Sequence, residues 1–323
     1  MSGGILILVE HLKGELSQIS YEMLGIGRKL AEASRAPLYA ALLGSDVTAL
    51  ANRLGAADKV LLVEDSRLTM PPAGTVASLL KVLIEQQQVS LVLVGGTNIT
   101  MGVGSMLSVR AHLPFVNFCR EVRLENGAVV LTSQLFGGKI FSDVRLPDGR
   151  GIVSVYPGAF PADHDRSERA SAVENVPVPI ETSSVVFKRF IEPEVGDVDI
   201  TKQNVLVAVG RGIQNEDNLA LAEDLAAALG GVICASRPII DQGWVPLSRQ
   251  VGKSGMIVKP KLYLALGISG APEHVEGMQG SQSIIAINTD AQAPIFDVAH
   301  YGVCGDLLEI VPVLTEKIKA RKG

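Results

Sequence analysis

The chain reads as an α/β protein with two doubly wound parallel-sheet domains. Three observations carry that expectation. Short, continuously apolar runs alternate with amphipathic stretches of helical length, the grammar of strands covered by helices on both faces. A segment rich in Pro, Glu, Ser and Asp over residues 157–193 interrupts the alternation, and a fresh strand–helix pattern follows it. At 323 residues and 47% hydrophobic content, the chain can fill two ordinary cores.

The first domain, residues 1–192, opens on an apolar strand at 5–9. That run is too short for the apolar region of a signal peptide, and it meets Glu10 and His11. Residues 17–33 carry apolar positions at helical spacing. A strand at 37–43 ends at Gly44, and a short helix is expected at 47–54, capped by Ser45 or Asp46. Strand 59–63, helix 73–88, strand 91–94 and a helix over 101–112 continue the alternation. After Pro114 the pattern changes: residues 118–124, 129–135 and 152–156 read as hairpin-like strands. Asn126-Gly127 is a strong hairpin turn signal. An antiparallel addition to the sheet is therefore expected. In the linker, 163–169 reads as a solvated charged loop and 183–190 as a β-type run. The domain boundary is expected near 192–197.

Composition removes several functions. Aromatic residues make up 4% of the chain and the formal net charge is −5, so neither a base-stacking platform nor a phosphate-backbone surface is expected. No apolar run approaches the ~18 residues of a membrane span, so a cytoplasmic protein is expected. Cys119, Cys234 and Cys304 are far apart and form no CxxC, which argues for buried thiols rather than a disulfide or metal site. His11, His112 and His164 share no spacing and read as surface or helix-end residues. The Gly95-Gly96-Thr97-Asn98 loop follows a strand, where phosphate can bind; a tight turn that needs glycine explains it as well.

The second domain, residues 193–323, is richer. Strand 204–209 runs into Gly210-Arg211-Gly212, and helix 219–229 stops at Gly230-Gly231. Strand 232–235 ends at Ser236-Arg237. This resembles a dinucleotide-binding unit without the GxGxxG fingerprint. Two arginines at neighbouring strand ends suit a pyrophosphate, because a planar guanidinium matches two oxygens. Gln250 to Gly255, with Lys253 and Ser254, reads as a backbone nest for a ring or phosphate; the Walker pattern is absent. Strand 262–266 opens into Gly267, Ser269 and Gly270. His274 falls in or beside the first turn of a helix, where an imidazole can donate to a carbonyl or developing anion. Strand 284–287 ends at Asn288, 294–296 is short and apolar, and Asp306-Leu307 starts the last helix.

The ordered motifs GRG, SRPxxDxGW, VGxSG, LYLALGISGA, AINxD, APIFDVAxYG and DL resemble the alpha subunit of electron-transfer flavoproteins, most densely over 205–315. The resemblance implies a heterodimer with a beta subunit, met through the first domain. It also implies FAD held by the second domain in a Rossmann-like fold, and electrons passed from donor dehydrogenases to an acceptor oxidoreductase. The flavin would carry the redox chemistry, with no protein nucleophile. Position by position, it implies that Arg211 and Ser236 lie near the pyrophosphate and Arg237 against the isoalloxazine. It puts the Ser254 hydroxyl on the N5 side and lets the backbone approach the ring at Gly255. Ser269 and Gly270 would follow the ribityl–phosphate part, and His274 would donate towards O2. Asn288, Asp306 and Leu307 would bind the adenosine end. Lys253 and Glu273 stand where the family usually has glutamine, so their opposite charges are expected to offset one another at the flavin. An electron-bifurcating version of the heterodimer and a nucleotide-binding enzyme subunit are the other functions compatible with these residues.

Overall fold

Two units, Met1–Arg189 and Phe190–Gly323, make up the chain. The computed structural model describes residues 3–163, 170–181, 183–190 and 198–322 (at 147 and 322 the backbone only). The expected boundary at 192–197, His164 and most of the 163–169 loop lie outside the described residues.

In the first unit the strands are β1 (Gly4–Leu8), β2 (His11–Leu12), β3 (Glu15–Leu16), β4 (Leu38–Gly44), β5 (Lys59–Glu64), β6 (Val89–Gly95), β7 (Phe115–Glu125), β8 (Ala128–Leu135), β9 (Ile140–Leu146), β10 (Gly151–Val155) and β11 (Ala172–Asn175). The main sheet has the order β11-β5-β4-β1-β6-β10-β7-β8-β9, while β2 and β3 form a small hairpin. Strands β11 through β7 pair in parallel, and β7-β8-β9 pair antiparallel. β1 is buried along its whole length because both faces are covered. Helix Gln18–Ser34 packs on the side of Ile5 and Ile7. Residues from helices Ala73–Gln86 and Val103–Ala111 pack with Leu6 and Leu8 on the other side.

The antiparallel addition is present, and Asn126-Gly127 makes its turn with both φ values positive. Three details differ from expectation. Residues 151–155 are no hairpin strand: β10 lies parallel between β6 and β7. Its unbroken apolar burial is what a central parallel strand requires. The third antiparallel strand is β9, whose exposed, charged face hid it; there Asp143 meets Arg123 at 2.7 Å. The helix expected at 47–54 is a 3-10 helix, Thr48–Arg53. Neither Ser45 nor Asp46 caps it; the Glu64 carboxylate accepts from the Val47 and Thr48 amides at 2.7 and 3.1 Å. The run at 183–190 forms no strand; the linker's strand is β11, parallel to β5 and tied to it by Lys59–Glu174 at 2.7 Å.

The second unit has five strands, β12 (Val205–Val209), β13 (Val232–Ala235), β14 (Leu262–Leu266), β15 (Ile284–Asn288) and β16 (Tyr301–Cys304). All are parallel, in the order β13-β12-β14-β15-β16. Numbered within the unit this is 2-1-3-4-5, a doubly wound order whose topological switch lies between β12 and β14. Helices Leu219–Leu229 and Leu307–Lys322 share one core with Val207 and Val209. Helix Pro272–Met278 and the segment around Val251 and Val258 pack on the opposite face, with Leu206 and Tyr263. Residues 294–296 belong to a 3-10 helix, Pro294–Asp297. No helix among the described residues is long and apolar enough to cross a membrane.

Candidate functional site

Because all five strands of the second unit are parallel, their carboxyl ends meet one edge. β13 exits into Ser236 and Arg237, and β12 into Arg211 and Gly212. β14 exits into Gly267, Ser269 and Gly270, β15 ends at Asn288, and β16 leads to Asp306 and Leu307. Neighbouring strands lie ~4.8 Å apart, so the outer exits are separated by roughly 19 Å. A ligand that touches both ends must be long and extended.

The middle of that edge is paved with backbone. Gly267 has φ +62°, and a Cβ on it would lie 2.5 Å from the Gly212 Cα and 2.9 Å from Leu307 Cδ2. The β12 and β14 exits are therefore pressed together, with the Gly212 amide donating to the Gly267 carbonyl at 3.1 Å. Gly270 has φ +87°, and a Cβ there would overlap the Ile295 backbone. Glycine is required at both positions because the protein's own backbone comes too close for a side chain. Asn288 is held by Nδ2 donating to the Ile268 carbonyl at 2.9 Å. Asp306 caps the last helix, its Oδ1 accepting from the Leu308 amide at 2.8 Å.

The segment from Gln250 to Met256 folds over the start of helix Pro272–Met278. Gln250 is buried and its Nε2 donates to Ser254 Oγ at 2.9 Å. The Met256 amide donates to the Gln250 carbonyl at 2.7 Å, a contact that leaves no space for a side chain at Gly255. The Lys253 amide donates to the Glu273 carbonyl at 2.7 Å. Its ammonium is 3.7 Å from the carboxylate of Glu276, not of Glu273. That ion pair lies one helical turn beyond Glu273. Ser236 is buried at the start of helix Arg237–Asp241, with its amide donating to the Val209 carbonyl at 2.9 Å. Arg237 and Asp241 form an exposed ion pair at 3.4 Å, worth ~1 kcal/mol or less. Arg211 is exposed.

His274 is 7% exposed. Its Nε2 lies 2.8 Å from the Tyr263 hydroxyl, and its Nδ1 is buried without a partner in hydrogen-bonding geometry. Burial pushes the imidazole down to about 4, against a smaller upward pull from the Val251 backbone. A buried polar atom without a partner costs about 1–3 kcal/mol, which a polar ligand atom would relieve. The residues that sequence reasoning missed are Tyr263 and Glu276. Tyr263 carried a signal: a tyrosine inside a buried strand needs a partner for its hydroxyl.

Elsewhere the candidates are satisfied within the protein. Thr97 and Thr100 both donate to the Glu10 carboxylate. His11 Nε2 contacts the Leu43 carbonyl at 2.8 Å, and His112 ends a helix at φ +52°. Cys119 and Cys234 are buried, and burial pushes both thiols up to about 12, whereas Cys304, expected to be buried, is exposed on β16. No metal-binding cluster occurs among the described residues.

Comparison with known proteins adds identity to this geometry. The model described as the electron transfer flavoprotein FAD-binding domain matches residues 199–279. The model described as the electron transfer flavoprotein domain matches residues 5–181. Protein FixB of Clostridium saccharobutylicum is 34% identical over 322 residues, covering 98% of this chain and 96% of the relative. The electron transfer flavoprotein subunit alpha of Bacillus subtilis is 31% identical, covering 99% of this chain and 98% of the relative. Lactate dehydrogenase (NAD(+),ferredoxin) subunit LctC of Acetobacterium woodii is 34% identical, covering 98% of this chain and 77% of the relative. The glycine-paved edge and the orphaned imidazole nitrogen fit an extended flavin nucleotide with polar ring atoms. The chain belongs to the electron transfer flavoprotein alpha-subunit family, and residues 199–279 of its second unit match that family's FAD-binding domain.

Proposed function

We propose that this chain is the alpha subunit of a cytoplasmic heterodimer. It holds FAD at the carboxyl edge of the second unit and relays electrons from donor dehydrogenases to an acceptor oxidoreductase, without a substrate reaction of its own. The observation that most supports this is the alignment of five parallel strand exits carrying, in order, the residues the family resemblance nominates. FAD supplies the redox chemistry when bound; the protein supplies orientation and electrostatics.

In this reading Arg211, Gly212 and Ser236 hold the pyrophosphate, and Arg237 lies against the ring system. Gln250, Lys253, Ser254 and Gly255 line the ring's N5 side, with Gln250 fixing the Ser254 hydroxyl. Gly267, Ser269 and Gly270 pass the ribityl–phosphate part. His274 donates to a ring carbonyl, and Glu273 belongs to the turn that supports it. Asn288, Asp306 and Leu307 receive the adenosine end. The first unit contacts the beta subunit.

Co-expression with the beta subunit tests the proposal. The purified heterodimer should be yellow, with visible bands that bleach on dithionite. A well-folded, colourless heterodimer overturns it. An electron-bifurcating heterodimer is the second reading, favoured by the likeness to a subunit of an NAD(+),ferredoxin lactate dehydrogenase. Flavin stoichiometry separates the two: one FAD per heterodimer for the simple carrier, two for the bifurcating form.

A further inference from the structure

The central strands of the first unit, β1, β6 and β10, are neighbours in the sheet and run parallel. Their amino ends therefore meet one edge, opposite the edge that carries the topological switch. A cleft of about 700 Å³ opens there, within the usual size of small-molecule sites. Gly3 ahead of β1, Ser90 near the start of β6 and Arg150 ahead of β10 reach it from the sheet. Lys81 and Glu85 reach it from helix Ala73–Gln86, and Arg110 from the end of helix Val103–Ala111.

Two helices end at this edge, and cations there offset about half a negative charge at each helix's last carbonyls. The cations outnumber that charge. Lys81, Arg110 and Arg150 bring three positive charges, while Glu85 brings one negative charge and already pairs with Lys81 at 2.9 Å. With the two helix ends set against them, about one positive charge remains, in a chain whose formal net charge is −5. Arg110 donates one N–H to the Gly74 carbonyl at 3.0 Å. Arg150 lies between β9 and β10, outside any helix, and its guanidinium has no hydrogen-bond or ion-pair partner among the described residues.

A hydroxyl is left over as well. Ser90 is 4% exposed, yet its Oγ makes no hydrogen bond among the described residues. A Cβ on Gly3 would fall 2.5 Å from that oxygen, so glycine there keeps the hydroxyl uncovered. A nearly buried hydroxyl without a partner is polar capacity that a ligand atom can answer. No Phe, Tyr or Trp lines the cleft among the described residues, so it offers a nucleobase no stacking surface. Gln88 and Ser90 line it and can bond hydroxyl groups.

We propose that this cleft binds a small phosphate ester with a polar, non-aromatic body, a sugar phosphate in chemical class. Arg110 and Arg150 hold the phosphate, because a planar guanidinium matches two of its oxygens. Ser90 and Gln88 meet the hydroxyls of the body. The site lies in the first unit and does not depend on the flavin reading of the second.

Calorimetry and hydrogen–deuterium exchange of the purified heterodimer test it, with ribose 5-phosphate and inorganic phosphate as probes and citrate as a carboxylate control. Ribose 5-phosphate should bind saturably and slow exchange around residues 81–90 and 110–113. Arg150→Gln, an exposed change, should weaken it about tenfold, the size of one charge-assisted hydrogen bond. Ser90→Ala should weaken ribose 5-phosphate and leave inorganic phosphate unchanged. No saturable binding, or slowed exchange only elsewhere, overturns the proposal even if neither variant folds. Unchanged affinity in a folded Arg150→Gln also overturns it. Citrate binding as tightly as ribose 5-phosphate overturns the assignment to a phosphate ester.

Discussion

The two units carry the same kind of edge and use it differently. Each contains a run of parallel strands with a topological switch, between β1 and β6 in the first unit and between β12 and β14 in the second. In open α/β sheets this is the crevice where ligands bind. At the first switch the protein fills the crevice itself. Glu10 is buried, and its carboxylate accepts from the hydroxyls of Thr97 and Thr100. Ser20 accepts from the Glu10 amide at 2.7 Å and donates to its carbonyl at 2.8 Å. At the second switch the side chains are removed by Gly212 and Gly267, and His274 keeps a buried nitrogen unanswered. Topology offers a crevice to both units. What makes one a site is polar capacity left over after folding.

Glycine substitution probes that contrast most strongly. Gly270→Ala forces a Cβ into the Ile295 backbone at φ +87°; it should cost about 3 kcal/mol or more and abolish flavin binding. Gly127→Ala, at φ +81° with nothing within 4 Å, should cost about 1 kcal/mol and leave the flavin in place. Urea unfolding and visible absorbance read both; equal costs would break the comparison.

Acidification comes next. The His274 pKa is lowered to about 4 in the folded chain, while the unfolded value is ~6.5. Between those values the unfolded chain binds more protons, so stability falls as pH drops through that window, by about 3 kcal/mol in full. Tyr263, whose hydroxyl meets the imidazole, and the buried Cys234 stay protonated throughout, because burial raises both. His274→Asn should remove this part of the slope in urea titrations of the flavin-free protein. An unchanged slope would contradict the burial argument.

Glu10→Gln should cost about 1–2 kcal/mol, because it weakens hydrogen bonds to a charged acceptor, without changing flavin affinity. A flavin loss there would mean that the first switch also matters to the ligand. The smallest effect is expected at Lys253. Replacing it with Gln removes a cation paired with Glu276 and should lower the flavin potential slightly, whereas Glu273→Gln should leave it nearly unchanged. Spectroelectrochemistry of the two variants would reverse the assignment if Glu273 proved the larger.

The central strands were legible because β1, β6, β10 and β12 are apolar almost throughout, as burial on both faces demands. Apart from the short β2–β3 hairpin, the strands that escaped notice lie at edges. β9, β11 and β16 are largely exposed and carry polar residues, so only backbone pairing defines them. The site residues were legible as an ordered set of motifs at strand ends. Their pairings were not. Tyr263 and His274 are eleven residues apart and meet only because the helix folds back over its own strand. Lys253 pairs with Glu276 because the helix turns that carboxylate, and not Glu273, toward the ammonium.

Photolabelling the heterodimer with an azido-FAD and mapping the modified peptides tests the central claim most directly. The account predicts labels between residues 211 and 307 of this chain, concentrated near Ser254 and His274, and none around Glu10, Thr97 and Thr100. Labels at the first unit's switch, or none in the second unit, would contradict it.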